Sequence, residues 1–397
     1  MKIIRLREGK DRSLLRYHPW VFQGSIAKGG ADAGETVRVE SHEGRFLAWG
    51  AFSPSSQIRV RAWSFDEGER IDATFFGRRI QAAVSMRQRL APNSDGVRLV
   101  HGEADGLPGL IVDRYGDTLS AQFLATGVER WKGVIADVLL ATTGCKRLYE
   151  RSDASVRQLE GLEPVKGWLR CPAGDEARTA VTIREHDWQL SLDVAEGHKT
   201  GYYLDQRDNR AHFAQLVRRF GSRSVLNCYS YTGGFSVAAL AGGATEVISV
   251  DSSAPALARA SAHVTANGFD AARHTTLDAD VNATLRDFIQ QGRSFDAIVL
   301  DPPKFASTAA QAERASRAYK DINRLALKLL APGGLLLTFS CSGGVSADLF
   351  HKVVAGAGAD AKVDGYLLQR LEAAADHPTT LTFPEGEYLK GLVILKR

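Results

Sequence analysis

At 397 residues, 44% of them hydrophobic and 24% charged, the chain is long enough for two or three cores and has the balance of a globular protein. No run nears the roughly 18 consecutive apolar residues of a membrane helix, and Met1-Lys2-Ile3-Ile4-Arg5 returns to charge too soon for a signal peptide. The expectation is a cytoplasmic protein with no membrane contact, and a net charge of +4 is too small to specify a nucleic-acid partner by itself.

The first 73 residues alternate short apolar runs with Gly, Pro and Ser turns, the texture of a small β domain. Thr36–Glu40 and Gln57–Ala62 show the period-two alternation of half-buried strands. Basic residues gather here as Arg5, Arg7, Lys10, Arg12 and Arg16, followed by Arg59 and Arg61. A solvated basic face accounts for them as well as a phosphate-binding one does. A middle region, 74–182, opens with a basic helical stretch over Phe76–Leu90 and holds a strand at Gly109–Asp113. Four cysteines, Cys145, Cys171, Cys228 and Cys341, are scattered without a CxxC pair, so neither a metal site nor a disulfide is expected.

From Ile183 to the end, apolar strands alternate with helical patterns, the signature of a doubly wound α/β domain with a mostly parallel sheet. Phe213, Leu216, Val217 and Phe220 share one helical face, which Gly221 terminates. The strands predicted next are Ser224–Cys228, Glu246–Asp251, Phe295–Asp301 and Leu335–Phe339. A helix carrying Ile322, Leu325, Ala326, Leu329 and Leu330 precedes the last of these and is stopped by Pro332-Gly333-Gly334. In such sheets ligands bind beyond the carboxyl ends of the strands.

The first strand runs through Asn227 into Tyr229-Ser230-Tyr231-Thr232-Gly233-Gly234, where glycines permit a sharp turn and a close approach to a ligand. The second strand ends at Asp251, suited to bind ribose hydroxyls. The GxGxxG pattern of a pyrophosphate site is missing. A later strand ends in Asp301-Pro302-Pro303-Lys304, which resembles the substrate-facing motif of methyltransferases acting on ring or exocyclic atoms. Together these favour S-adenosylmethionine as cofactor. Asp280 sits where such folds place an adenine-contacting acid, with Asp278 equally within reach.

Cys341 lies between two serines, before Gly343-Gly344, at the carboxyl end of a strand facing the same crevice as Asp301. A half-exposed cysteine near positive charge is a nucleophile, and Lys304 is a candidate for that charge, although it could equally touch a phosphate. One reaction needs such a thiolate: its addition to C6 of cytosine makes C5 enamine-like and able to accept a methyl group. Asp301 then holds the ring-nitrogen edge, and the base must be single-stranded or flipped out.

These blocks make the chain similar, almost end to end, to the bacterial ribosomal RNA large-subunit 5-methylcytosine methyltransferases with an N-terminal PUA domain. The resemblance is carried by Ser13–Phe22, Asp105–Leu110, Gly197–Arg207, Tyr229–Phe235, Asp301–Phe305, Phe339–Ser342 and Asp376-His377-Pro378. It implies a PUA β-barrel over 1–73 that grips RNA, a central α/β domain over 74–182, and a class I (Rossmann-like) methyltransferase domain over 183–397. It further implies cytosine C5 of large-subunit ribosomal RNA as target, Cys341 as nucleophile and Asp301 as the base-holding acid. The cofactor would be lined by Gly233, Gly234, Asp251 and Asp280, with Asn227, Tyr229, Tyr231, Gln206 and Asp301 as further contacts. Lys10, Arg12 and Arg16 become phosphate-positioning residues. Many RNA 5-methylcytosine enzymes carry a second, adduct-releasing cysteine in the Asp301 motif. Lys304 stands in that place here, so the proton-abstracting base is open. The rival readings are methylation of another RNA atom, such as guanine N7, and an RNA-binding assembly protein without catalysis. A monomer or homodimer is expected, with the central domain as the contact.

Overall fold

The computed structural model describes residues 2–90, 93–306 and 309–397. They form two compact units. One holds the residues up to Glu185 with Leu192–Leu204 and Ala375–Gly386; the other holds His186–Ser191, Asp205–Ala374 and Glu387–Arg397.

In the first unit, strands β1 (Ile3–Leu6), β2 (Trp20–Phe22), β3 (Ile26–Lys28), β4 (Thr36–Glu40), β5 (Phe46–Phe52) and β6 (Ile58–Ser64) make a six-stranded sheet in the order β2-β6-β5-β4-β1-β3. Val37, Val39 and Val60 are fully buried while Arg38 and Arg59 alternate outward, as the period-two pattern requires. A second sheet has the order β11-β10-β9-β8-β7, from β7 (Gly96–His101), β8 (Leu110–Tyr115), β9 (Thr118–Phe123), β10 (Arg147–Ser152) and β11 (Val165–Arg170). The helix Ala73–Leu90 packs on it and begins three residues before the predicted Phe76. The Asp72 carboxylate, which accepts from the Phe75 amide at 3.1 Å, sets that start. Trp63 and Ala51 of the first sheet join the core of the second, where Phe75, Phe76, Leu99 and Leu110 are buried. Asp376 and His377 fasten a late segment to this unit: the Arg98 amide donates to Asp376 at 2.9 Å, and His377 bonds the other Asp376 oxygen at 3.0 Å.

A hairpin, β12 (Ala180–Glu185) and β13 (Trp188–Asp193), follows, and the division of the chain falls within it. The second unit is built on β14 (Ser224–Cys228), β15 (Glu246–Asp251), β16 (His274–Asp278), β17 (Phe295–Leu300), β18 (Leu330–Ser340), β19 (Gly365–Leu371) and β20 (Lys390–Lys396). Their order is β16-β15-β14-β17-β18-β20-β19, parallel from β16 to β18, with β20 antiparallel to both neighbours. Leu226, Ile298, Leu300 and Leu336 form the core with Tyr319, Ile322, Phe350 and Val354 from the helices Ala312–Leu329 and Ala347–Ala361. Gly221 ends the helix Arg207–Phe220 in a left-handed conformation (φ 64°), as its position in the sequence predicts. β18 begins at Leu330, earlier than predicted, because Ala331–Gly334 are accommodated as a break in register between the pairs Phe295–Leu330 and Ala297–Leu335. The chain leaves β14 toward β15 on one side and returns as β17 on the other, so a crevice opens where the direction of winding reverses.

Candidate active site

The loop after β14 sits at that crevice. Tyr229 and Tyr231 both have positive φ (56° and 47°), strained for residues with a side chain, and Gly233 follows at 74°. The loop is held from two sides. The Asp251 carboxylate, at the end of β15, accepts from the Tyr231 amide at 2.8 Å and the Ser253 amide at 3.0 Å. His263 bonds the Thr232 carbonyl through Nδ1 at 2.8 Å and accepts from the Ser191 amide through Nε2 at 2.8 Å. Each Asp251 oxygen keeps acceptor capacity for ribose hydroxyls. Ser230 Oγ and Thr232 Oγ1 are buried and have no hydrogen-bond partner among the described residues. Orphaned buried hydroxyls are costly, so this loop suits a ligand with polar groups, as S-adenosylmethionine is.

The other residues expected to line the cofactor have contacts of their own. Asn227 is buried and donates to Ser236 Oγ at 2.9 Å, within a chain of hydroxyls that reaches Ser249 and His274, so it supports the loop from beneath. The Tyr229 hydroxyl reaches Asn282 at 3.3 Å, and burial pushes its pKa well above the ordinary tyrosine value. Asp280 is exposed and caps the helix Val281–Gln290, accepting from the Ala283 amide at 2.8 Å. Gly234 is the buried first residue of the helix Gly234–Gly242, which the loop leads into.

Asp301 and Cys341 follow the adjoining parallel strands β17 and β18, whose last pair is Leu300–Thr338. Both are half-buried, and Cys341 Sγ lies 4.0 Å from the Pro302 carbonyl oxygen. Gln206 donates to Asp301 at 3.0 Å and accepts from Asn209 at 2.6 Å, which fixes the carboxylate's orientation. Lys304 is exposed. Ser342 is fully buried: its hydroxyl accepts from the Phe305 and Ala306 amides, each at 3.0 Å, and bonds the Tyr319 hydroxyl at 2.9 Å. The loop carrying Asp301 and the loop carrying Cys341 are thereby pinned together. Cys228, in contrast, is fully buried, and desolvation raises its pKa far above the usual thiol range.

Of the basic residues near the start, Arg5 pairs with Glu40 at 2.6 Å and Arg61 with Glu160 at 2.8 Å, which gives them structural partners. Lys10, Arg12 and Arg16 are exposed and make no ion pair among the described residues. Sequence reasoning missed the Tyr319–Ser342 anchor, the His263 clamp and Lys390, whose Nζ donates to the Ser342 carbonyl at 2.8 Å. A lysine just ahead of the apolar run 391–395 was the available signal for Lys390; the other two left none.

Fold and site together define a class I S-adenosylmethionine-dependent methyltransferase with an N-terminal PUA-like domain: residues 166–386 match the former family and residues 4–65 the latter domain. A SAM-dependent methyltransferase from Streptococcus mutans shares the fold over the whole of both chains, with a TM-score of 0.84 at 22% identity. The ribosomal RNA large subunit methyltransferase I of Shewanella denitrificans is 49% identical over 396 residues, 98% of each chain. That of Klebsiella pneumoniae is 47% identical over 97% of this chain and 96% of its own. The chain belongs to the ribosomal RNA large subunit methyltransferase I family, and S-adenosylmethionine is its cofactor.

Proposed function

We propose that this enzyme methylates C5 of a cytosine in large-subunit ribosomal RNA through a covalent adduct with Cys341. The observation that carries the reading is a half-buried thiol and a half-buried carboxylate on adjoining parallel strand ends, beside the loop suited to the cofactor. Cytosine C5 is too weak a nucleophile to take a methyl group unaided. The Cys341 thiolate bonds to C6 and moves electron density to C5, while Asp301, oriented by Gln206, donates from its protonated carboxyl to the ring nitrogen where charge accumulates. S-adenosylmethionine supplies the electrophilic methyl group. Transfer of the C5 proton to water or another general base then expels the thiolate and restores the ring, which leaves Cys341 ready for another cycle.

Lys10, Arg12 and Arg16, exposed on the first domain, take the phosphates. Each part of the chain then has its own role, in which 1–73 grips RNA, 74–182 links, and 183–397 performs the transfer. The relatives' name, ribosomal RNA large subunit methyltransferase I, supports the substrate class. The test is methyl transfer from labelled S-adenosylmethionine to unmodified ribosomal RNA, with nucleoside analysis of the product. Wild type should yield 5-methylcytosine, and Cys341→Ala should lose on the order of 10⁴-fold or more. An active Cys341→Ala, or a different methylated nucleoside, overturns the covalent reading.

A further inference from the structure

Lys390 is buried next to the strand end that carries Cys341, and the covalent cycle proposed for Cys341 assigns it no role. It opens β20 and pairs with Ser340, the residue before Cys341. Its neighbour Gly391 fixes that register. Gly391 lies opposite Phe339, and a Cβ there would come within 2.6 Å of the Phe339 ring, so a side chain would push β20 away. The ammonium then donates to the carbonyl of Ser342 at 2.8 Å, and Lys390 thus touches the chain on the far side of Cys341 as well.

Burying a cation is costly unless an anion or several acceptors compensate. Burial accordingly pushes Lys390 below the usual lysine value. The Cys341 thiolate and then Glu387 pull it back up, and Lys304 opposes them. Cys341 is the first of these partners. Among the described residues, Asp301, at the end of the adjoining strand, and Tyr319, whose hydroxyl burial keeps neutral by raising its pKa, also lie around the thiol. Exposed Lys304 acts through water. At the same distance a charge in the partly buried environment of Lys390 acts roughly four times more strongly, because the effective dielectric falls from about 80 to about 20.

We propose that Lys390 is a positioning residue whose ammonium, held against the Ser342 carbonyl, keeps Cys341 as the thiolate. The inference rests on Cys341 being the nucleophile; it is independent of which base is methylated. It is tested without RNA, by following alkylation of Cys341 with iodoacetamide against pH and quantifying the modified peptide by mass spectrometry. In the wild type the midpoint lies below the ordinary thiol value of about 8.5. In Lys390→Met it rises by about one unit, so the rate at neutral pH falls about tenfold. Lys390→Arg restores the low midpoint, and Lys304→Gln moves it less than Lys390→Met does. Methyl transfer by Lys390→Met recovers as the pH is raised.

A wild-type midpoint at or above about 8.5 overturns the proposal, and needs no variant to fold. So does a Lys390→Met protein whose midpoint equals that of wild type. A low, Lys390-dependent midpoint in an enzyme that makes a nucleoside other than 5-methylcytosine sustains the role of Lys390 and fails only the choice of target atom.

Discussion

Gly233 concentrates at one residue what the cofactor loop demands of the backbone. Its φ of 74° is left-handed, and a Cβ would stand 2.7 Å from the Ala260 Cβ and 3.2 Å from the Ala260 Cα. Alanine at this position incurs about 1–2 kcal/mol for the left-handed backbone alone, and the contact with the helix Ala254–Ala266 adds to it. Gly233→Ala is therefore expected to lower the melting midpoint and to weaken S-adenosylmethionine binding about tenfold, since 1.4 kcal/mol is a factor of ten. Thermal denaturation and titration calorimetry check both; an unchanged midpoint would show that the loop tolerates a side chain there. Sequence marked this glycine only in combination, because a Gly-Gly turn is common and gains meaning here from its place between a strand and a helix, ahead of Asp251. It did not show that Asn227, one residue before the end of β14, faces Ser236 inside the fold. Strand alternation gives the side of a residue, and leaves its partner open.

At the scale of elements, the loops following β17 and β18 behave as one piece because Ser342 accepts two amides of the first loop and bonds Tyr319 on the helix Ala312–Leu329. Removing that hydroxyl strands two amides in a largely dry place, at about 1–3 kcal/mol for a buried donor. Ser342→Ala should lose stability of that order and speed hydrogen exchange at Phe305 and Ala306, with methyl transfer falling as Asp301 loses its registration. Exchange rates equal to wild type would mean that the loop is held by other contacts. Elements were the most legible level of the sequence. Thr36–Glu40, Ser224–Cys228 and Glu246–Asp251 are strands residue for residue, since each carries the burial pattern of its place. The misplaced starts, Ala73 for Phe76 and Leu330 for Leu335, fall where a cap or a break in register decides the boundary and apolar period does not.

Over the whole molecule, a net charge of +4 leaves RNA affinity to depend on where cations stand free of partners. Lys10, Arg12 and Arg16 together should account for two to three released counterions, at about 0.7–0.9 each. Changing all three to glutamine should reduce the slope of log affinity against log salt by that amount, measured by fluorescence anisotropy on ribosomal RNA fragments. An unchanged slope would remove them from the interface. The sequence by itself determined the alternation of strands and helices, the glycine turn and the motifs that place Asp301 and Cys341 at strand ends, because periodicity and turn chemistry are local. Only tertiary structure decided that β20 inserts antiparallel between β18 and β19, that Gln206 reaches Asp301 across 95 residues, and that Lys390 returns to Ser342 across 48. Such pairings are selected by the packing of the whole sheet. A residue's apolar or polar character records how deeply it is buried, and the neighbour it is buried against is fixed only when the strands take their order.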